Sequence, residues 1–384
     1  MEYVKIKDIN KYISASVNPM RLPDIKFEVY SVPSYETDHP EYLYGREIAS
    51  NKICVQKNDI LLCKINPRIN RVWVVKGESE YQKIASSEWI VVRTEEYNPE
   101  FLAWYFKSPK FKKMMVSEVT GIGGSLTRAQ PKFVAEYPVP VISEKEQNEI
   151  VRILSTLDKV IDLRKKELEQ LENLVRGRFV EMFGDLANPE CLWDKSKLVD
   201  VCADNDDIKC GPFGTQLNKD EYMESGIAVW EIPQINAAFL TQPTHFLTEK
   251  KAEQLKAYTI IPGDIAMSRK GNVGKCAIFP DNYPEGIIHS DVLRIRVDCK
   301  SVNPLFMMCQ LHFSGAVTRQ IELVSSGAIM AGVNVTKLKQ IYIHVPPIEL
   351  QQQFADFVKQ VNKSKVAVQK EQGYCNVIVM LLQC

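Results

Sequence analysis

Two stretches of this chain set basic and amide side chains together on probable loops. Lys64-Ile65-Asn66-Pro67-Arg68-Ile69-Asn70-Arg71 follows a strand-like apolar run and sets bases and amides on a loop. Ser268, Arg269, Lys270, Asn272 and Lys275 sit on a second loop spaced by Gly271 and Gly274. Arginine pairs with two acceptors of guanine and asparagine with adenine, while lysines hold phosphates. Lys64, Asn66, Arg68, Asn70 and Arg71 are therefore candidate DNA contacts, as are the five residues of the second loop. Ser125, Thr127, Arg128 and Gln130 form another candidate segment behind Gly121-Ile122-Gly123-Gly124, a turn that would let backbone approach a ligand. Gln216, Asn218 and Asn334 lie on further loops. For any single one of these, an ordinary solvated polar residue is the alternative.

Catalytic constellations are missing. No G-x-x-x-x-G-K-[ST] loop is present, and the glycines near 121 do not complete a dinucleotide fingerprint. The histidines at 39, 245, 289, 312 and 344 are scattered singly, so no metal site is expected. No Asn or Asp precedes Pro-Pro and an aromatic, and no Asp/Glu-x-Lys nuclease cluster follows Pro23-Asp24 or Pro280-Asp281. A non-catalytic binding role is expected.

The elements that must position these loops are written twice. Lys57-Asn58-Asp59-Ile60 answers Pro262-Gly263-Asp264-Ile265, and Ser87-Glu88-Trp89 to Arg93 answers Ser290-Asp291-Val292 to Arg296. Asn98-Pro99 answers Asn303-Pro304, and Pro140 with Gln147 answers Pro346 with Gln351. The offsets are 205, 203, 205 and 204 for Asp59, Glu88, Pro99 and Gln147. A period this long is a domain duplication, not a solenoid. Within each copy, β-like runs (Arg71–Val75, Trp89–Arg93, Val292–Val297) precede an amphipathic stretch, and Pro109 should interrupt the first such stretch.

Each copy ends in a long helix. Ser143-Glu144-Lys145-Glu146 is a capping box. Ile150, Leu154, Leu157, Ile161, Leu168, Leu171, Val175 and Met182 then alternate spacings of four and three, with Arg164 and Arg178 filling the polar gaps. That is a heptad seam, and Gly184 should stop it. Phe354, Val358, Val361, Val368, Cys375, Val379 and Leu382 repeat it, with Lys365 and Gln372 as gaps and Gly373 as a weak point. Two matching seams in one chain predict helices packed on each other, antiparallel if a pseudo-twofold axis relates the copies. The alternative is that each helix lies on its own lobe. Charges in Asp162, Glu167 and Glu169 balance Arg164, Lys165 and Lys166, so those bases suggest a solvated or partner-facing helix.

Composition agrees. The 384 residues hold 48 Lys plus Arg and 48 Asp plus Glu, with 45% hydrophobic residues, which excludes a disordered polybasic chain but not a basic groove balanced elsewhere. No run reaches the about 18 apolar residues of a membrane helix. The first ten residues lack the apolar centre of a secretion signal, so a cytoplasmic location is expected. Ten cysteines with no C-x-x-C pair read as reduced thiols.

The whole plan resembles the specificity subunits of type I restriction–modification systems. Gly211-Pro212-Phe213-Gly214-Thr215-Gln216-Leu217 resembles the opening of a target recognition domain. Pro262 to Lys275 resembles that domain's central motif, and Val345-Pro346-Pro347-Ile348-Glu349-Leu350-Gln351 the entry to the conserved helix. Leu157 to Asp162 and Leu171 to Gly184 resemble the central conserved region. The first lobe departs from the pattern: it has Asn58-Asp59-Ile60 in place of Gly-Asp-Ile, and its Pro-to-Gln spacing is longer.

The resemblance implies an α+β fold: two α/β target recognition lobes in pseudo-twofold arrangement, joined by two long antiparallel coiled-coil helices. The divisions would be 1–142, 143–184, 185–347 and 348–384. Each lobe would read half of a bipartite double-stranded DNA site. The helices, about 55–60 Å long at helical rise, would set the gap and dock two modification (methyltransferase) subunits. Restriction and translocase subunits would complete the complex. No cofactor is expected on this chain; S-adenosylmethionine for adenine-N6 methylation, ATP and Mg would belong to the partners. The alternatives are a coiled-coil interaction scaffold with no nucleic-acid role, or a self-contained modification enzyme, which the missing motifs disfavour.

Overall fold

The computed structural model describes residues 2–117, 119–120, 127–186, 191–325 and 332–382. It divides into two compact units, Met1–Lys166 with Val368–Cys384, and Glu167–Ala367. Each unit holds one lobe and part of both long helices.

In the first unit, the apolar run Ile60–Cys63 is the centre of a three-stranded antiparallel sheet between Val72–Val74 and Trp89–Val92. All four of its residues are buried, because both faces are covered. Ile60 and Leu62 pack on the aromatic helix residues Phe101, Phe106 and Phe111, while Leu61 and Cys63 pack on Tyr30, Trp73 and Trp89. A five-stranded sheet lies beside it in the order Ser16–Val17, Lys52–Cys54, Gln82–Ser86, Lys26–Tyr30, Glu41–Tyr44, with Lys26–Tyr30 and Gln82–Ser86 parallel.

The second unit repeats this logic. Ile265–Ser268 runs between Val292–Ile295 and Cys276–Ile278, with Ile208–Cys210 added at the edge. Ile265 and Met267 face one core and Ala266 the other. Its second sheet again contains one parallel pair, Ile227–Trp230 with Gly286–Ile288. The architecture is mixed α and β in both lobes.

The repeated sequence matches turn out to be fasteners. Asp59 and Asp264 are 0% and 2% exposed. Asp59 takes both hydrogen bonds of the Arg93 guanidinium at 2.7 Å, and Asp264 does the same with Arg296 at 2.7 Å. Each carboxylate also accepts a backbone N–H, from Gln56 (2.8 Å) or Ile261 (2.9 Å). A buried carboxylate is stable only with such partners. The departure at Asn58 has a simple cause. Asn58 sits at φ 71° where Gly263 sits at φ 90°, and asparagine is the side-chain-bearing residue that best tolerates this left-handed region.

A second fastener ties each lobe to its long helix. Gln147 Oε1 accepts from the Asn98 N–H (2.7 Å) and Gln351 Oε1 from the Asn303 N–H (2.9 Å). Their amide groups donate back to the carbonyls of Ile142 and Pro346. Ile142, not Pro140, is thus the counterpart of Pro346; matching proline to proline misplaced the repeat by two residues. Asn98 and Asn303 cap the helices Pro99–Lys107 and Pro304–Phe313. Pro109 does break the first amphipathic stretch, which resumes as Pro109–Ser117. The second stretch breaks too, between Phe313 and Gly315, with no proline there.

The long helices span Glu144–Phe183 and Ile348–Leu382. Ser143 and Glu146 exchange both bonds of the capping box. The first helix stops at Gly184, with φ 74°. Leu154, Ile161, Val175, Phe354, Val358, Val361 and Val368 are buried. Ile150, Leu157, Leu168, Leu171 and Val379 are half-buried. Within the second unit, Phe179 and Phe183 pack on Phe354 at ring distances of 5.5 Å, and Glu172 pairs with Lys365 at 3.3 Å. Rising numbers on one helix meet falling numbers on the other, so they run antiparallel there. In the first unit Arg164 pairs with Glu371 at 2.5 Å. The polar gaps of the seam therefore include cross-helix ion pairs. The helix pair also rests on the second lobe through Phe306 and Cys309. Ile150 packs on the first lobe's core.

Candidate nucleic-acid interface

Each lobe builds one loop pair in the same way. In the first, the loop after Ile60–Cys63 is held by Ala129, whose N–H donates to the Lys64 carbonyl (2.8 Å), and by Asn66, whose N–H donates to the Thr127 carbonyl (2.9 Å). In the second, the Val333 N–H donates to the Arg269 carbonyl (3.1 Å), and Arg269 Nε returns a bond to the Val333 carbonyl (3.2 Å). Asn66 (φ 49°) and Asn70 (φ 53°) bend the first loop where Gly271 (φ 67°) and Gly274 (φ 82°) bend the second. Sequence-distant candidates are thus brought together inside each lobe, 64–71 with 127–130 and 268–275 with 332–334.

The side chains divide into those that hold the fold and those that face solvent. Asn70 Nδ2 donates to the Phe106 carbonyl at 3.1 Å, tying the loop to a helix end. Arg71 pairs with Glu36 at 3.0 Å and is mostly covered. Thr127 and Ser268 are buried, Ser268 at 0% exposure, so neither hydroxyl reaches a base in this conformation. Asn334 caps the helix Val335–Leu338 through the Lys337 N–H. Gln216 Oε1 accepts from the Phe213 N–H and the Tyr258 hydroxyl. Gln130 precedes the short helix Pro131–Val134. Ser125 and the glycines at 121, 123 and 124 lie outside the described residues.

Other bases are held by an acid at the same repeat position. Arg128 meets Glu88 through two nitrogens (3.2 and 3.3 Å), and Lys270 meets Asp291 at 2.8 Å. Arg269 stacks over the Phe213 ring at 4.7 Å, a cation–π contact that orients the guanidinium. Arg68, Asn218 and Asn272 are exposed, and Lys64, Asn66 and Lys275 are half-exposed. Such a surface binds by hydrogen bonding and charge, not by covalent chemistry. Cys63 beneath the first loop is a case in point: burial pushes its thiol pKa up, away from the reactive thiolate. Among the described residues, no group of His, Cys, Asp and Glu is placed to hold a metal, and no helix is long and apolar enough to cross a membrane.

The sequence reading of an amphipathic stretch interrupted at Pro109 did not single out the lysines of the helix Pro109–Ser117. That helix carries Lys110, Lys112 and Lys113 with no acid of its own, and that spacing was readable.

A duplicated lobe with paired polar loops, carried on long helices, defines a recognition protein. The family model for the type I restriction modification DNA specificity domain matches residues 1–173 and 192–373, and the chain belongs to that family. It is 23% identical over 378 residues to the type I restriction enzyme MjaVIII specificity subunit of Methanocaldococcus jannaschii, covering 94% of this chain and 86% of that protein. The putative MjaX specificity subunit of the same organism is 23% identical over 84% of this chain and 75% of its own. The S subunit of a type I restriction–modification system from M. genitalium shares the fold, with TM-score 0.55 and 14% identity over 100% of this chain and 94% of that one. A chain from a structure of type I restriction–modification complex assembly and conformational transition does so at TM-score 0.56 and 17% identity, over 100% and 96%. The protein's role is DNA sequence recognition as the non-catalytic specificity component of a type I restriction–modification system.

Proposed function

We propose that the chain reads a bipartite double-stranded DNA target, one half through each lobe. Arg68, Lys64 and Asn66 carry the first half, and Arg269, Lys270, Asn272 and Lys275 the second. The observation that carries this reading is the repeated loop pair, built by equivalent backbone bonds in both lobes yet bearing different exposed side chains. Fixed scaffolding with variable polar tips is what direct readout requires. Arg128 and Lys270 begin paired to Glu88 and Asp291, so contact with DNA would exchange one partner for another.

The long helices dock two modification subunits, which supply S-adenosylmethionine-dependent adenine methylation. Restriction subunits add ATP- and Mg-dependent translocation and cleavage, and no cofactor resides on this chain. The exposed apolar residues Leu163, Leu174 and Val180 on the first helix, and Val366 and Tyr374 on the second, support a partner-facing surface. Cytoplasmic action follows from this role.

The test is co-expression with the modification subunits and mapping of methylated adenines. Replacing Arg269 and Lys270 by alanine should relax the bases of one half-site only, by roughly tenfold or more in discrimination. Loss of specificity at both half-sites together would defeat the assignment of one half per lobe. Salt-insensitive binding, or none in the complex, would favour a plain interaction scaffold.

A further inference from the structure

Three of the seven bases that the sequence marks as DNA contacts are neutralised within the fold, while Lys64, Arg68, Arg269 and Lys275 have no carboxylate partner among the described residues. Arg71, Arg128 and Lys270 each sit on a carboxylate. A phosphate gains little from a cation that must first leave an acid, whereas an unpaired exposed lysine releases counterions on contact. A cluster of exposed, uncompensated positive charge is therefore what a DNA backbone gains most from meeting.

In the first lobe the helix Pro109–Ser117 gathers three such charges on one short element. Lys110, Lys112 and Lys113 are all exposed. None forms an ion pair with a described residue; Lys110 donates to the Tyr3 hydroxyl at 3.4 Å and lies over that ring, 5.2 Å from its centre. The helix contains no acidic residue; Glu118 follows it, outside the described residues. It is firmly seated. Phe111 is fully buried against Phe106 at 4.6 Å and Tyr137 at 5.8 Å, and the Tyr137 hydroxyl donates to the Met114 carbonyl. The lysines are thus presented from a rigid support, which limits the ordering cost of binding.

The helix also leads directly to the reading loop. Two residues beyond it, Val119–Thr120 pairs with Arg128–Ala129, and Ala129 is bonded to Lys64. The equivalent helix of the second lobe, Gly315–Ser325, carries one base, Arg319, and one acid, Glu322.

Resting on the reading of the chain as a DNA-specificity subunit, we infer that Lys110, Lys112 and Lys113 form a phosphate-backbone clamp of the first lobe, and that the second lobe has no counterpart on its matching helix. These lysines set affinity and leave the recognised sequence unchanged.

The experiment measures binding of the assembled methyltransferase complex to its target duplex between 50 and 200 mM salt, roughly the range over which phosphate contacts dominate. Each lysine replaced by glutamine should lower the slope of log affinity on log salt by about 0.9, and lower affinity at 0.1 M salt by up to about eightfold. The triple variant should lose close to three units of slope while methylation mapping returns the same sequence. Lysine-to-arginine replacement of all three should restore the slope, which a folding defect would not allow. Lys300→Gln, on an exposed turn of the second lobe, should leave it unchanged. An unchanged slope in the triple glutamine variant overturns the clamp, while the recognition role stands if the Arg269 and Lys270 variants still relax one half-site. A changed recognised sequence also overturns the clamp, because it makes the helix a reader. If the parent complex shows no salt-sensitive specific binding, it is the recognition role that fails.

Discussion

The two lobes share their fasteners and differ in their surfaces. Asp59 with Arg93 and Asp264 with Arg296 close the same buried ion pair, and Gln147 and Gln351 clamp the same asparagine N–H. The tips are otherwise. The first loop bends on Asn66 and Asn70 and exposes Arg68; the second bends on Gly271 and Gly274 and exposes Asn272. The acid at the common position holds an arginine from the second segment in one lobe and a lysine from the loop itself in the other. Stability and recognition thus rest on separate residues, so a new surface can be carried on an old frame.

The comparison breaks first at the buried ion pairs. Removing the carboxylate takes away the charge-assisted bonds of an arginine that is 26% or 32% exposed and so partly rehydrated, which costs about 2–3 kcal/mol. Asp59→Ala and Asp264→Ala should each destabilise by about that much, and hydrogen exchange should place the loss in the altered lobe. A much smaller loss in one lobe would show that its arginine finds water instead, and that the fasteners are not equivalent. The glutamine clamps come next. Gln147→Ala and Gln351→Ala leave a backbone N–H and a carbonyl without their partners, for about 2 kcal/mol each. Both variants should release the junction between lobe and long helix, seen as faster exchange at the Asn98 and Asn303 amides. Smaller again is the turn before each central strand. Gly263→Asn should cost under about 1 kcal/mol, since Asn58 already adopts that geometry, whereas Gly263→Val should cost about 1–2 kcal/mol. Equal losses from asparagine and valine in urea unfolding would mean that backbone conformation is not what the repeat preserves there.

Much of this frame was legible in the sequence, because it rests on local pattern. Four-residue apolar runs became central strands. A heptad seam became the buried stripe of both long helices, and its polar gaps at Arg164 and Lys365 found acids on the facing helix. The site was less legible because a side chain's partner depends on residues far away in sequence. Asn70 has a reader's chemistry, but the Phe106 carbonyl lies within reach and takes its amide. Asn334 is spent on a helix end, and Ser268 falls on the inward face of a strand covered on both sides. The lysines of Pro109–Ser117 matter because no acid answers them, which is a property of the folded surface. Pairing Pro140 with Pro346 failed for a related reason: what repeats at that point is a carbonyl receiving the glutamine amide, and Ile142 supplies it equally well.

The smallest expected difference between the lobes is in their response to acid. The first has one histidine, His39, on an exposed segment. In the second, His344 is half-buried on the strand Tyr342–Val345, and its Nδ1 is buried without a hydrogen-bond partner. Burial pushes its pKa down, and Lys195 adds to the effect. His312 is lowered as well, mainly by burial; Glu172 opposes this, while Arg176, Lys275 and Lys365 reinforce it. A histidine with a depressed folded pKa binds protons less readily than the unfolded chain does. Its contribution to stability is complete above the unfolded value near 6.5 and is lost as pH falls from there through the lower folded value. The second lobe should therefore lose more hydrogen-exchange protection than the first between pH 7 and pH 5. Carboxylates titrate in both lobes, so the diagnostic quantity is the difference that His344→Gln makes. That variant should flatten the acid loss in the second lobe and leave the first lobe's profile unchanged. An unaltered profile in the second lobe would show that His344 takes up its proton freely in the folded state and does not set the two lobes apart.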